Sequence, residues 1–291
     1  MNDGVLNQAT AARLEQLTAS RPHAIGIYAP VGAGKSLVAR LLASRLLDIE
    51  PSKLDAYPYF YTIEPEPKKE AASTETVRAL LGRMTRTVPG SHETRRIVLV
   101  ERADKVLRPE SQNILLKFIE EPPADTIVLL TYANATSLLP TVRSRLQSVP
   151  LVAPTRDQLV EHFVARGYKS VDIARAHGLS GGLPGMMEAL LAKSEEHPLY
   201  RAVTLAKEVL AADTFQRLTM VDTLAKEDLE KLFFAFRQIA RASLTAASQK
   251  QQSDAAIKRW THILSQADHA EELRAGHVQT KLLLTNFMLQ L

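Results

Sequence analysis

Residues 29–36 read Ala-Pro-Val-Gly-Ala-Gly-Lys-Ser, which places two glycines, a lysine and a serine at the spacing of a phosphate-binding loop, with Ala29 at a first position more often held by glycine. Pro30, Val31, Gly32, Ala33 and Gly34 would form the cradle. The glycines let backbone N–H groups approach phosphate oxygens, and the following helix N-terminus adds positive potential. Lys35 would reach the terminal phosphates, and the Ser36 hydroxyl would ligate magnesium. The alternative is a glycine-rich turn beside a surface lysine, which the apolar run before the loop and the helical pattern after it argue against.

A second acidic position follows the run Ile-Val-Leu-Val at 97–100, where the chain continues as Glu101-Arg102. In nucleotide hydrolases, adjacent acids at such a strand end hold magnesium and polarise the attacking water. Glu101 suits the magnesium role. Arg102 cannot serve as a general base, because its guanidinium stays protonated at any workable pH. ATP hydrolysis by this chain is therefore expected to be weak or absent. Two roles fit Asp104: a substitute base, or a cap for the following turn or helix. Two also fit Thr131 and Asn134, hydrogen bonding to a terminal phosphate or turn formation. Arg143 and Arg145 lie beyond them; an arginine in such a loop is by default a solvated charge. His262, His269 and His277 are read as solvated helix-face residues, and the single Trp260 as packing.

Strand patterns cover 24–28, 97–100 and 126–131, and helical patterns cover a first segment through Leu6, Leu14 and Leu17 up to Arg21, then 37–47 and 109–119. This strand and helix alternation predicts a parallel sheet. The proline-rich stretch 50–72 reads as a connector. Beyond Pro150 the strand signal fades, and alanine- and leucine-rich helical segments are interrupted at Pro154, Gly167, the cluster at 181–185 and Pro198. The fold class expected is α/β plus all-α. A length of 291 residues suggests about two domains.

With 45% apolar and 23% charged residues the composition is that of a globular protein, and no apolar run approaches the roughly 18 residues of a membrane span. The first twenty residues carry no secretory pattern, so a cytoplasmic location away from membranes is expected. The absence of cysteine excludes disulfides, thiol nucleophiles and thiolate zinc sites, and no zinc is expected. A net charge of +4 is too small to argue for nucleic acid by itself.

Four segments resemble the bacterial clamp-loader subunits of the AAA+ class, in particular their delta-prime type in DNA polymerase III. These are 22–28 (Pro-His-Ala-Ile-Gly-Ile-Tyr) with the phosphate loop, 96–105 (Arg-Ile-Val-Leu-Val-Glu-Arg-Ala-Asp-Lys), 113–123 (Asn-Ile-Leu-Leu-Lys-Phe-Ile-Glu-Glu-Pro-Pro) and 138–147 (Leu-Leu-Pro-Thr-Val-Arg-Ser-Arg-Leu-Gln). The resemblance implies an AAA+ P-loop NTPase domain with a parallel sheet over 1–150, a helical lid over 151–195 and a C-terminal helical collar over 196–291. It also implies ATP and Mg²⁺ as ligands, other clamp-loader subunits as hetero-oligomeric partners, and a sliding clamp and primed DNA reached through the complex. Three departures from the family pattern matter. Its four-cysteine zinc module has no counterpart, its serine-arginine-cysteine motif reads Ser144-Arg145-Leu146, and the stretch 182–186 lacks the lid arginine of motor subunits. On this resemblance Arg145 acts in trans on a neighbour's nucleotide, while Arg143 orients the loop or pairs with an acid. The rival readings are an autonomous AAA+ motor ATPase, against which Arg102 stands, and a small-molecule phosphotransferase, which would not need some 95 helical residues after the lid.

Overall fold

In the computed structural model, which describes residues 5–65, 71–84, 88–89, 92–249, 253–276 and 278–291, the three apolar runs become the central strands of a sheet. In chain order the first unit, residues 1–154, comprises α1 (Gln8–Ser20), β1 (Ala24–Tyr28), α2 (Lys35–Leu47), β2 (Phe60–Thr62), α3 (Thr74–Arg83), β3 (Arg96–Val100), α4 (Ala103–Val106), α5 (Pro109–Glu120), β4 (Thr126–Tyr132), α6 (Pro140–Arg143) and β5 (Gln147–Pro150). The strands lie side by side in the order β2-β3-β4-β1-β5, and every neighbouring pair is parallel.

Every residue of β3 and β4 is buried, which is why these segments read as unbroken apolar runs rather than as an alternation. The period of two still sorts their side chains. Ile25, Ile27, Ile97, Leu99, Ile127 and Leu129 pack with Leu14 and Leu17 of α1 and Val38, Leu42 and Leu46 of α2. Val98, Val100, Val128, Leu130 and Tyr132 pack on the other side with Val77 of α3, Val106 of α4, Leu115 and Ile119 of α5 and Val142 of α6. Each such aliphatic side chain contributes about 1.5–3 kcal/mol on full burial, so the two helical layers hold the strand ends in place.

Gly26 sits where β1 meets Tyr132: a Cβ there would lie 2.8 Å from the Tyr132 hydroxyl oxygen and 2.9 Å from its ring. Tyr132 in turn donates to Ser148 Oγ at 2.8 Å and stacks on Tyr28 with ring centroids 5.4 Å apart. Burial raises its pKa above the ordinary value and keeps the phenol a donor.

Several elements depart from the sequence reading. β2 lies inside the stretch taken as a connector, β5 follows residues taken as loop, and neither α3 nor the single turn α6 had an assignment. β2 and β5 are three- and four-residue strands at the two edges of the sheet, with exposed or polar residues and a proline, so neither carries the apolar run of a central strand. α3 does carry a start signal, since Ser73 Oγ accepts from the Thr76 N–H at 3.2 Å and Glu75 lies in the first turn. Residues 66–70 of the expected connector, and His277, lie outside the described residues.

The second unit, residues 155–291, is helical throughout its described elements: α7 (Arg156–Ala165), α8 (Ser170–Ser180), α9 (Pro184–Ala192), α10 (Pro198–Ala211), α11 (Thr214–Leu224), α12 (Leu229–Gln249), α13 (Asp254–Ala275) and α14 (Thr280–Gln290). Capping boxes at Thr155/Gln158 and Asp213/Gln216 start α7 and α11. α12 and α13 pack along each other, and Phe287 of α14 meets Phe233 and Phe236 of α12 edge-on, with ring centroids 5.2 and 4.9 Å apart. His262 Nε2 lies 2.7 Å from the Gln290 carbonyl oxygen, which ties α13 to α14. Trp260 is half-buried, with the Arg259 guanidinium 5.4 Å from its ring centroid. No helix among the described residues is long and apolar enough to cross a membrane.

Candidate functional site

Because β1 is an inner strand, between β4 and β5, the loop that leaves it emerges among the carboxyl ends of the parallel strands, where open α/β sheets receive ligands. The Ala29 N–H donates to the Tyr132 carbonyl at 3.3 Å, and the Ala33 N–H donates to the Pro30 carbonyl at 3.3 Å, closing a tight turn. Gly32 and Gly34 have φ of 81° and 87°. The space where a Gly34 Cβ would stand is open, so its backbone conformation, and not crowding, demands glycine.

Gly34 is the N-cap of α2, and no side chain caps this helix and no acid lies in its first turn. Its leading N–H groups therefore keep their capacity for an anion, reinforced by the helix dipole. Lys35 Nζ donates to the carbonyls of Ala29 at 2.6 Å and Pro30 at 3.0 Å, so the cation lies across the loop. Pro30 is exposed; Val31, Ala33 and Ser36 are half-buried. The loop thus fits the phosphates of a nucleotide.

The acidic position is built differently from the expectation. Glu101, just past β3, faces Arg40 of α2 at 3.8 Å, and Arg40 also bonds Asp55 and lies 5.6 Å from the Phe60 ring centroid. Arg102 adopts a left-handed backbone with φ of 54° and occupies the N-cap position of α4. Its N–H donates to Thr131 Oγ1 at 2.9 Å, and Thr131 is fully buried. Asp104 lies within the first turn of α4, and its Oδ2 accepts from the Ala133 N–H at 3.3 Å, so it caps the turn after β4. The two bonds stitch the end of β3 to the end of β4.

Asn134 is exposed, and its Oδ1 accepts from the Thr136 N–H at 3.0 Å and hydroxyl at 2.8 Å. Arg143 donates to the Ala135 carbonyl at 2.8 Å and so ties down the same loop. Arg145, between α6 and β5, donates to the Thr141 carbonyl at 3.0 Å and pairs with Glu120 at the end of α5 at 2.5 Å. Its side chain remains 41% exposed. The structure therefore groups Thr131 with Arg102, Glu101 with Arg40 and Arg145 with Glu120; the partners of Arg145 do not belong to the phosphate loop. Sequence reasoning missed Arg40 and Glu120. The one local signal for Arg40 is its spacing of four from Ser36, which puts both on one face of α2.

The family model described as DNA polymerase III, delta subunit matches residues 8–155, just over half of the chain. DNA polymerase III subunit delta' of Pseudomonas aeruginosa is 32% identical over 149 residues, 46% of this chain and 44% of that protein. Its Escherichia coli K12 counterpart is 29% identical over 185 residues, 58% of this chain and 54% of that protein. The matched region thus spans about half the length of these curated relatives. A DNA polymerase III gamma subunit-related protein from Thermotoga maritima superposes with a TM-score of 0.56 at 18% identity, covering 94% of this chain and 97% of that one. The two share one fold, a parallel five-stranded sheet followed in the chain by helices.

Proposed function

The chain belongs to the DNA polymerase III delta-subunit family, and from that premise we propose that it is a delta-prime-like clamp-loader subunit that binds ATP without hydrolysing it efficiently and lends Arg145 to a neighbouring subunit's nucleotide. The observation that carries this reading is an intact phosphate loop, leading into an α2 that no side chain caps, beside an acidic position whose second residue is Arg102. Backbone groups of 32–36 would hold the phosphates, and Lys35 would exchange its two carbonyl partners for the terminal phosphate oxygens. Magnesium, when bound, would neutralise phosphate charge, with Ser36 as the residue placed to meet it, while Glu101, the second candidate, faces Arg40. Thr131 fits a structural role through Arg102, and Asn134 shapes the turn, so both would act on the nucleotide through backbone placement.

We read residues 151–195 as the lid and 196–291 as the collar. The support for a collar is a surface that its own unit leaves uncovered. Leu282 and Leu289 of α14, seven residues apart and so on one helix face, are 61% and 56% exposed, and Phe215 of the adjoining α11 is 76% exposed. Other clamp-loader subunits are the partners for that surface; the sliding clamp and primed DNA would be met through the assembled complex in the cytoplasm.

The experiment is a titration of the purified chain with ATP, together with its co-purification from the native cell. Binding with negligible turnover, and recovery of the other loader subunits, support the proposal. Rapid turnover by the chain alone would instead favour an autonomous motor.

A further inference from the structure

The metal half of the nucleotide site disagrees with the phosphate half. Ser36 and Arg40 are four residues apart on α2, so the arginine stands one turn along the same face as the hydroxyl expected to meet magnesium. Glu101, the carboxylate expected to complete that metal's surroundings, faces the Arg40 guanidinium at 3.8 Å. Three partners hold the arginine: Glu101, the Asp55 carboxylate, and the face of Phe60 in edge strand β2 at 5.6 Å. An arginine confined by two acids and a ring is a fixed cation, with a planar donor fork that a hydrated metal ion would have to displace. Arg102 adds a second cationic residue where hydrolytic relatives of this fold carry an acid. The Glu101 carboxylate that a divalent ion would use is thus already compensated by Arg40.

We propose that Arg40 is a positioning residue that holds Glu101 in a protein ion pair in place of magnesium, so that nucleotide binding at residues 29–36 depends little on the metal. This rests on the nucleotide reading above and deepens it: the ligand class is a nucleotide bound chiefly through loop N–H groups and Lys35. Arg40 then sets the metal dependence of the site without touching the phosphates.

The test uses the full chain and a fluorescent ATP analogue, with affinity measured in excess Mg²⁺ and in EDTA. For the wild type, the ratio of the two affinities should stay within about threefold, given that an exposed ion pair is worth at most about 1 kcal/mol. Arg40→Gln frees Glu101 and should raise the ratio about fivefold further. Arg40→Lys keeps a cation beside Glu101 and should leave the ratio at the wild-type value, which separates charge from any general disturbance of α2. Adding Glu101→Gln to Arg40→Gln should abolish the gain, because the carboxylate is the group released to the metal. The proposal is overturned if Arg40→Gln leaves the ratio unchanged, if Arg40→Lys raises it equally, or if the gain survives in the double variant. Absence of binding by the wild type in both conditions would instead overturn the nucleotide reading, and this inference with it.

Discussion

Arg145 and Glu120 are joined by a 2.5 Å ion pair between the loop after α6 and the last residue of α5. Both side chains are about two-fifths exposed, so the pair is worth roughly 0.2–1 kcal/mol and orients the arginine without trapping it. A neighbouring subunit's terminal phosphate, with more charge and two acceptor oxygens for the guanidinium fork, would win Arg145 from Glu120. Arg145→Ala should lower the ATPase of the reconstituted complex by up to about 10³-fold, and Arg145→Lys by less, while ATP binding to this chain is unchanged. Steady-state turnover with primed DNA and clamp decides the matter; wild-type turnover by the alanine variant would return Arg145 to the status of a surface charge.

Lys35 donates to two loop carbonyls and would move to phosphate oxygens on binding. Removing this charge-assisted contact costs about 1.5–3 kcal/mol. Lys35→Ala should therefore weaken ATP binding by about 10- to 100-fold in calorimetric titration.

Gly26→Ala puts a methyl group 2.8 Å from the Tyr132 hydroxyl oxygen and 3.2 Å from Leu146 Cδ1, inside a fully packed layer. Overpacking of this kind costs about 1–3 kcal/mol, and urea unfolding of the full chain should show that loss as a lower midpoint of the transition that reports the first unit.

The strands and helices that surround the glycine-containing loop 29–36 were legible because each is a sequence signal of its own. β1, β3 and β4 are apolar runs, α2 and α5 carry helical spacing, and Gly34 announces the turn between strand and helix. β2 and β5 were not, since edge strands bury too little to need an apolar run. The arginine pairings were also hidden. Arg40 meets Glu101, and Arg145 meets Glu120, only after the parallel sheet has set α2 beside β3 and α5 beside α6, and nothing local to either residue encodes its partner. The permanent cation of Arg102 is plain from its residue type, but its left-handed backbone and its bond to Thr131 are tertiary facts.

In the second unit, burial is the largest cause lowering the pKa of His162, His177 and His197. His197 also has a task that requires the neutral ring: its Nδ1 accepts from the Leu199 N–H at 3.2 Å and caps α10. A depressed folded-state value means that the unfolded chain takes up the proton first. The stabilisation is therefore complete above the ordinary histidine pKa of about 6.5 and is lost as pH falls through the lowered folded values. Urea unfolding between about pH 7.5 and about pH 5.5 should show declining stability, with a shallower slope for His197→Asn, which caps without titrating.

Leu282→Ser with Leu289→Ser removes two exposed apolar side chains from α14. Such surface changes should move the stability of the isolated chain by no more than about 0.5 kcal/mol each. Co-purification of the partner subunits should nevertheless be lost; undiminished recovery would show that these residues lie outside the assembling surface.

The two rim strands of the sheet are three and four residues long, and the second ends in Pro150, which has no N–H to offer. A strand from another polypeptide needs a longer ladder of free backbone groups to dock and grow. Truncated rims therefore give the first unit little backbone for strand capture or fibrous self-assembly, and any contact it makes with another protein would run through side-chain surfaces and not through backbone pairing.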